Sequence, residues 1–525
     1  IDALAKGGDT SAVDAAVTVA SNDLLGNGTA PEQLLAERRS AVFTHPDRTD
    51  NDLASFTLRA DRFATSTLRV ETMAYVRRAR IGTLNGDAGE DDDHDDDDDD
   101  DHAIHADHDD DDDDEVELDG ALNRSRTRNV SGGAAAQVVW TQPWQGRANQ
   151  LIAGVTFDAA SSTFGFSSEF GYLSSTREAI GAGLMDDDAA VDLKATTRTA
   201  SILLTDTLDV TPRLHVTASA RANWTTVRLR DRIGVALNGD HRFARLNPSV
   251  GVTFDASPSL NLYASWAQSS RVPTPVELTC ADPEDPCRLP NAFVSDPPLD
   301  QPVAGTWEAG ARGSVRRASW NLSIFDSRVT NDLIFVSSGR VRGSGHFENV
   351  ERTRRRGVEA TGEWRVRDVT VSGSYTLQRA TYGADLTVLS PVHPDADDGQ
   401  LDVESGARLP GVPAHVGRVG VSARLASALD VAATWRVQSS QFLRGDEANL
   451  LAPVSGFSAV DAQARWKLGA RVTLVGQVIN MFDTDYATFG MLGEADVLED
   501  AYEGRPRFLS PGAPRAAWFG VEVGF

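Results

Sequence analysis

The stretch "LNLYASWAQSS" (Leu260–Ser270) decides which class of fold this chain adopts. Apolar side chains occupy every second position, with small or polar side chains between them. Leu262 and Trp266 therefore share one face of an extended chain, and Asn261 and Ser265 share the other. This period of two predicts a β-strand with one apolar and one polar face.

The same alternation recurs along the chain in segments of about ten residues. Further examples are "LRVETMAYVRR" (Leu68–Arg78), "LHVTASARANW" (Leu214–Trp224) and "RVTLVGQVIN" (Arg471–Asn480). The polar faces are rich in Arg, Thr, Ser, Gln and Glu, and few helical patterns are available to cover the apolar faces. We therefore expect an all-β, transmembrane antiparallel β-barrel, apolar outside and polar inside, rather than a soluble sandwich. No apolar segment approaches the ~18 residues of a membrane-spanning helix.

The predicted connections between strands alternate in length. Short turns are expected near 63–66, 209–212, 255–259, 316–318, 367–369, 426–429 and 468–470, and long loops near 82–122, 158–190, 231–242, 271–304, 381–410, 442–456 and 483–512. All long loops then emerge on one rim, as in outer-membrane barrels, which have short periplasmic turns and long external loops. From Ser40 onwards about eighteen strands are expected, the last being "AAWFGVEVGF" (516–525).

Most of the acidity of the chain is local. The net charge of −27 argues against a nucleic-acid partner. Residues 87–119 carry 22 acidic side chains and no Lys or Arg, so the rest of the chain has a net charge of only −5. In the predicted topology this run lies in the external loop 82–122. Repulsion between its charges predicts an extended, disordered segment unless cations bind to it.

Four of the ten histidines lie inside the acidic run, between Glu90 and Glu115. Aspartate alone would suit Ca²⁺ or Mg²⁺, whereas imidazole suits zinc, copper, nickel and iron(II). The run is therefore a candidate for capture of a transition metal, with a solvated spacer or a general cation binder as the alternative. The candidate ligands are His94, Asp101, His102, His105, Asp107, His108 and Asp109.

Three further histidines, His241, His346 and His393, lie on or near the predicted outer side and are candidates for additional ligands. A lone loop histidine is more commonly just solvated. Cys280 and Cys287 lie in a Pro/Asp-rich loop without CxxC spacing, which favours a local disulfide over free thiols.

The motif "RRRG" (Arg354–Gly357) is cationic and is expected either in the lumen or near lipid phosphates. The lumen is favoured, because an arginine that faces lipid is costly. No nucleophile elbow, P-loop, dinucleotide-binding fingerprint or HExxH motif is present. The sequence therefore predicts no catalytic residues and no enzyme activity.

The chain resembles the TonB-dependent outer-membrane receptors from about residue 24 to residue 525. The stretches that carry the resemblance include "AVFTHPDRTDNDLASFTLRAD", "RRRGVEATGEW", "LPGVPAH", "INMFDTDYATFG" and "RFLSPGAPRAAWFGVEVGF". The resemblance implies a 22-stranded barrel filled by an N-terminal plug. It also implies energy-coupled import through an inner-membrane TonB complex. Neither plug nor TonB box is seen, and about four strands are missing, so residues 1–525 are interpreted as an N-terminally incomplete barrel. A plugless open pore is the alternative.

External loops rich in His and Asp are a feature of zinc-importing members of this family. The resemblance therefore implies a monomeric receptor in the outer membrane of a Gram-negative bacterium, in contact with its lipids. Its transported ligand would be a metal ion, most of all Zn²⁺, with Cu, Ni and Ca as alternatives; no cofactor is expected. Two other hypotheses stay open: a receptor for a siderophore or other metal chelate, and a non-transporting surface barrel bridged by Ca²⁺.

Overall fold

The computed structural model describes residues 2–6, 10–26, 28–88, 118–279, 287–288, 299–337, 344–493 and 506–524. Twenty strands form one large sheet. They are β1 (Asp2–Lys6), β2 (Ser11–Leu25), β4 (Asp47–Phe63), β5 (Leu68–Ala88), β6 (Gly120–Trp140), β7 (Asn149–Leu173), β8 (Ala179–Thr211), β9 (Leu214–Asp231), β10 (Gly239–Ser257), β11 (Leu260–Ser270), β12 (Cys287–Arg288), β13 (Val303–Val315), β14 (Ala318–Ser337), β15 (Ser344–Val366), β16 (Val369–Tyr382), β19 (His415–Ala426), β20 (Leu429–Gln438), β21 (Phe457–Lys467), β22 (Val472–Ile479) and β25 (Ala516–Val523).

Smaller elements lie in the connections of this sheet. They are β3 (Ala30–Pro31), β17 (Leu386–Leu389), β18 (Gln400–Val403), β23 (Ala487–Leu492), β24 (Arg507–Pro511), α1 (Glu32–Glu37) and α2 (Pro275–Leu278). Strands β17 and β18 form a hairpin, and β3, β23 and β24 form a three-stranded sheet. Among the described residues, no helix is long and apolar enough to cross a membrane.

Each long strand of the large sheet pairs antiparallel with the next long strand along the chain, from β1 to β25. Eighteen of its strands, including the two-residue β12, begin after Ser40. The predicted all-β architecture of the antiparallel barrel type is therefore confirmed.

Alternation along the strands gives the sheet two different faces. On β8, Ile202 and Leu204 are exposed on the outer face. On the inner face, hydroxyls bond across strands: the side-chain oxygens of Thr205 and Ser219 lie 2.8 Å apart. The last strand ends in the same pattern, with Phe519 89% exposed. A continuous apolar outer surface of this extent marks contact with lipid.

Tryptophans lie at both borders of this apolar surface. Trp320 and Trp364 lie two residues from the short-turn ends of β14 and β15, and their side chains are exposed. Trp224 is also exposed, and it lies ten residues along β9 from the short-turn end of that strand. Amphipathic rings favour the membrane–water interface, so these positions are typical of the aromatic belts of a membrane barrel.

Short turns join the strands at one rim. Two-residue turns connect β13 to β14 and β15 to β16. Each has a positive φ at its first residue, 54° at Arg316 and 52° at Arg367. Such turns match the twist of the flanking strands and hold antiparallel pairs in one register. All seven predicted short turns are confirmed, and a further turn at 141–148 joins β6 to β7.

The prediction of a long loop at 158–190 is wrong. Strands β7 and β8 stay paired through this range and are joined by only five residues, 174–178. The segment alternates weakly, because a ribbon that projects beyond the bilayer has no lipid-facing side to require apolar residues. The strands beside the acidic run also extend further than expected, with β5 reaching Ala88 and β6 starting at Gly120.

The prediction that the whole "RRRG" motif faces the lumen is also wrong. Arg354 and Arg356 share the outer face with Val358, which pairs with the exposed Ile324. Only Arg355 points inward, where it donates to Asp332. The outward arginines avoid the cost of burial in lipid because they lie ten residues or more from the short-turn end of β15, beyond the apolar band.

Exchange of a single outer-face side chain tests this orientation. Leu204→Arg should lower the free energy of unfolding by about 2–4 kcal/mol, because Leu204 lies near the middle of the apolar band. Thr205→Arg, on the adjacent inner-face position, should cost far less. Urea titrations of the protein refolded into lipid vesicles, followed by tryptophan fluorescence, measure both changes. Equal losses would contradict the assignment of the two faces.

Candidate functional site at the external rim

The predicted metal ligands of the acidic run, His94, Asp101, His102, His105, Asp107, His108 and Asp109, lie outside the described residues. The structure does define where the run is attached. It connects the end of β5 to the start of β6, at the rim opposite the short turns. Its predicted position among the external connections therefore agrees with the strand order.

Several of the external connections form packed clusters like those of a soluble protein. The hairpin β17–β18 contributes Val388, Leu401 and Val403 to a buried cluster that also contains Tyr382 at the end of β16. A second cluster joins the loop 439–456 to the segment around β23. Buried apolar area of this kind holds the loops in defined positions.

His393 joins the hairpin connection to the loop 439–456. Its imidazole is fully buried, Nδ1 accepts the backbone N–H of Asp395 at 3.1 Å, and Nε2 lies 3.2 Å from the Asp446 carboxylate. Since Nδ1 is an acceptor, Nε2 carries the proton and donates to Asp446. Asp446 also accepts the backbone N–H groups of Leu450 and Leu451. Both ring nitrogens of His393 are thus used for structure rather than for a metal.

Glu447 follows Asp446 directly in the chain and is buried. Its carboxyl accepts the backbone N–H of Gly445 at 3.1 Å. Gly445 has φ of +91°, a conformation that glycine adopts without strain, and this turns the N–H toward the acid. Burial outweighs that bond and raises the pKa of Glu447 from 4.5 to about 7. The carboxyl is therefore poised to exchange a proton near neutral pH.

Tyr382 extends the buried polar group toward the end of β16. Burial first, and then the charges of Glu447 and Glu348, raise the pKa of its hydroxyl above the ordinary range, so it stays protonated. The guanidinium of Arg444 lies over the rings of Phe335 and Phe489, 5.5 and 5.7 Å from their centroids. A cation (Arg444), two acids (Glu447 and Glu348) and a phenol (Tyr382) therefore lie at the external rim.

The other two candidate histidines lie in different surroundings. His346 is 3% exposed, its Nδ1 has no hydrogen-bond partner among the described residues, and its Nε2 lies 3.8 Å from a carboxylate oxygen of Glu348. His241 stacks near Phe243, and burial lowers its pKa against the opposing charge of Asp240. Each of these two imidazoles would supply only a single nitrogen ligand to a metal ion.

No three His, Cys, Asp or Glu side chains converge on a metal position within the part of the chain that the structure describes. The predicted extra ligands His241, His346 and His393 are therefore not brought together into one site. Cys280 lies outside the described residues, and Cys287 is described only by its backbone pairing with Gly345. The proposed disulfide remains a prediction.

Sequence reasoning missed Glu447, Asp446 and Tyr382. The only local signal is "RGDEAN", in which Gly445 and Asn449 take positive φ values of 91° and 64°. This pattern predicts a turn. It carries no sign that the acids within it are covered by a hairpin some fifty residues earlier in the chain.

The sequence model described as "TonB dependent receptor-like, beta-barrel" matches residues 37–481. Among curated proteins no related sequence is found. Solved structures similar to this chain include the ferric yersiniabactin uptake receptor FyuA from Yersinia pestis, with 11% identity, 99% of this chain and 68% of that chain covered, and a TM-score of 0.69.

The siderophore receptor PiuA from Acinetobacter baumannii shares 13% identity, with 98% of this chain and 72% of that chain covered and a TM-score of 0.72. The copper transporter OprC shares 15% identity, with 98% and 70% covered and a TM-score of 0.64. At these identities the similarity to solved structures shows the fold alone.

The buried acid gives the loop 439–456 a pH dependence with a definite sign. Between pH 4.5 and about 7 the folded loop holds a proton on Glu447 that the unfolded loop has lost, so stability falls as pH rises through this window. Glu447→Gln should remove that fall, which amounts to at most about 3 kcal/mol. Hydrogen exchange of residues 439–456 at pH 5 and pH 8, corrected for intrinsic rates, measures it.

Glu404→Gln is the matched control, because Glu404 is exposed in the neighbouring connection. It should leave the pH dependence of the wild type unchanged. The assignment of the effect to Glu447 is wrong if the Glu447→Gln protein loses protection between pH 5 and pH 8 as the wild type does.

Proposed function

Because this chain belongs to the family of TonB-dependent receptors, whose β-barrel model matches residues 37–481, we propose that it imports a scarce metal ion, with Zn²⁺ as the first candidate. Members of this family are outer-membrane receptors that bind metal chelates and interact with TonB; they are transport receptors, not enzymes. The proposed site of this chain is the Gram-negative outer membrane, and its proposed partner for energy transfer is the inner-membrane TonB complex.

One observation carries the choice of metal. Four of the ten histidines fall within residues 94–108, in a run that is otherwise almost entirely aspartate and that is attached at the external rim. Imidazole selects zinc and its neighbours in the first transition row, whereas aspartate oxygens hold hard cations. Such a run would collect ions weakly and reversibly, which suits a segment that must pass them on.

The contacts of the described histidines support the assignment of metal capture to the acidic run. His393 is committed to Asp395 and Asp446 through both nitrogens. His346 and His241 belong to no group of three or more possible metal ligands within the described residues. Capture of an ion by several imidazoles therefore rests on the run between Glu90 and Glu115.

Import of a metal chelate is the second candidate, and Arg444 favours it. A guanidinium that lies over two aromatic rings at the rim can bind a carboxylate or another anionic group through parallel hydrogen bonds. In that case the acidic run would be incidental to transport. A non-transporting barrel bridged by Ca²⁺ is the remaining alternative, and it needs no TonB.

Calorimetry of the purified chain with Zn²⁺ and Ca²⁺, at pH 7 and at pH 5, tests the proposal. Three proteins are compared: the wild type, a deletion of residues 90–115, and a variant with His94, His102, His105 and His108 all changed to Asn. Zinc binding at pH 7 should disappear in the deletion and fall by roughly tenfold or more in the Asn variant, which keeps every aspartate. It should also disappear at pH 5, where imidazole is protonated.

Calcium binding is the internal control, because the Asn variant retains the carboxylates that bind it. Equal, weak binding of both ions, insensitive to pH and to the Asn changes, would make the run a charged spacer and move the assignment to chelate import. Zinc accumulation by cells that make the full-length receptor, with and without TonB, then separates a transporter from a surface barrel.

A further inference from the structure

Four arginines form a compact group on the outer face of β14, β15 and β16. Arg328 lies directly opposite Arg354 in the strand pairing, and Arg356 lies directly opposite Arg379. Directly opposite side chains in an antiparallel pair have Cβ atoms about 4.5–5.5 Å apart. We call this group the arginine quartet.

The four residues face away from the lumen. On β14 the outer face runs through Leu322 and Ile324, both exposed, and continues two residues at a time to Arg328. On β16 it runs through Tyr375 and Leu377 to Arg379. The quartet therefore continues the apolar outer surface rather than the polar inner one.

The height of the quartet matches the border of the membrane. Arg328, Arg356 and Arg379 each lie ten residues from the short-turn end of their strand. A tilted strand crosses the hydrocarbon layer in about 9–11 residues. These guanidinium groups thus lie at the level of the headgroups of the external leaflet.

The quartet lacks matching negative charge in the protein. Asp326 is the one carboxylate of the described residues that pairs with it, accepting from Arg354 at 2.8 and 2.5 Å and lying 3.9 Å from Arg328. Asp326 also lies directly opposite Arg356 in the strand pairing, and the charges of the two side chains interact. No described carboxylate forms an ion pair within 4 Å with Arg356 or Arg379, and Arg328 is 62% exposed in its side chain. The group of five side chains carries a net charge of +3.

A fifth arginine adds to the excess of positive charge. Arg408, in the connection between β18 and β19, lies close enough to Arg379 that burial and the charge of Arg379 both lower its pKa. Its Nε is buried without a hydrogen-bond partner among the described residues. Like charges in register on adjacent strands repel each other, so an external anion would stabilise this arrangement.

We infer that the arginine quartet binds the phosphate groups of an anionic lipid in the external leaflet. Guanidinium groups bind phosphate through paired, charge-assisted hydrogen bonds, and two opposed arginines present two such forks to one phosphate. The acyl chains of the lipid would lie against Leu322, Ile324 and Leu377 directly below. A second pair of directly opposed arginines occurs on the outer face between β5 and β6, where Arg80 lies opposite Arg128.

Native mass spectrometry of the detergent-solubilised chain with diphosphorylated lipid A tests this inference. The triple variant Arg328→Gln, Arg356→Gln, Arg379→Gln leaves the Arg354–Asp326 ion pair intact. Its affinity for the lipid should fall by roughly tenfold or more, since each arginine near a lipid surface contributes to binding. Dephosphorylated lipid A should bind the wild type as weakly as the phosphorylated lipid binds the triple variant.

The matched control changes Arg213, Arg317 and Arg471 to Gln. These are exposed arginines in the short turns, so the change in net charge is the same on the opposite rim. Lipid A binding should be unaffected. A second variant, Asp326→Asn, removes the carboxylate that opposes the quartet and should bind the lipid more tightly than the wild type.

Two results would overturn the inference. Wild-type affinity in the triple variant, with the fold intact by its heat-dependent mobility in electrophoresis, would show that the quartet does not hold the lipid. Inorganic phosphate that displaces lipid A at equal concentration would show a site for free anions rather than for a headgroup. Failure of either kind leaves the zinc assignment untouched, because no residue of the acidic run is altered.

Discussion

The structure depends on one constraint: within the hydrocarbon of a membrane, every backbone N–H and C=O must find its partner inside the protein. The large sheet meets it by pairing each long strand with its neighbour; among the described pairings, register shifts occur near short turns and in the β7–β8 ribbon. Between β5 and β6 that register runs from Leu68 opposite Trp140 to Ala88 opposite Gly120. Once the register is set, the face of every side chain follows, because successive residues point to opposite sides.

The constraint ends where the strands leave the membrane, and a different kind of packing begins. Outside the bilayer, backbone groups can bond to water, so the connections are free to form hairpins, short helices and turns. Some of the polar side chains that these connections bury are paired with each other. His393 and Asp446 satisfy each other in this way, whereas Glu447 accepts a backbone N–H and its burial raises its pKa to about 7.

The period-two pattern predicted the fold class and the short turns because contact with lipid requires apolar side chains on one face of each strand. It failed for the β7–β8 ribbon, where Phe164 and Phe166 alternate with glycine and serine beyond the bilayer and no face contacts lipid. It could not orient "RRRG", since the motif has no parity of its own. Whether Arg356 points inward or outward depends on its position in β15, ten residues before the end of the strand.

The rim residues were the least predictable, because their properties depend on distant segments. Nothing near Glu447 in the sequence shows that the connection after β17 covers it, and nothing near His393 shows that both its nitrogens are occupied. The acidic run is the opposite case. Its composition alone makes it a candidate for metal capture, whatever the strands on either side of it do.

The bond between His393 and Asp446, with the nearby bond from Ser390 to the carbonyl of Gly445, has a mechanical consequence. It fastens the tip of the β17–β18 hairpin to the loop 439–456, which is otherwise a separate connection. The two segments are therefore expected to move together. When a ligand fixes one of them, the conformational entropy of the other is reduced as well. A ligand that contacts only one segment would therefore bind a surface whose flexibility also depends on the other segment.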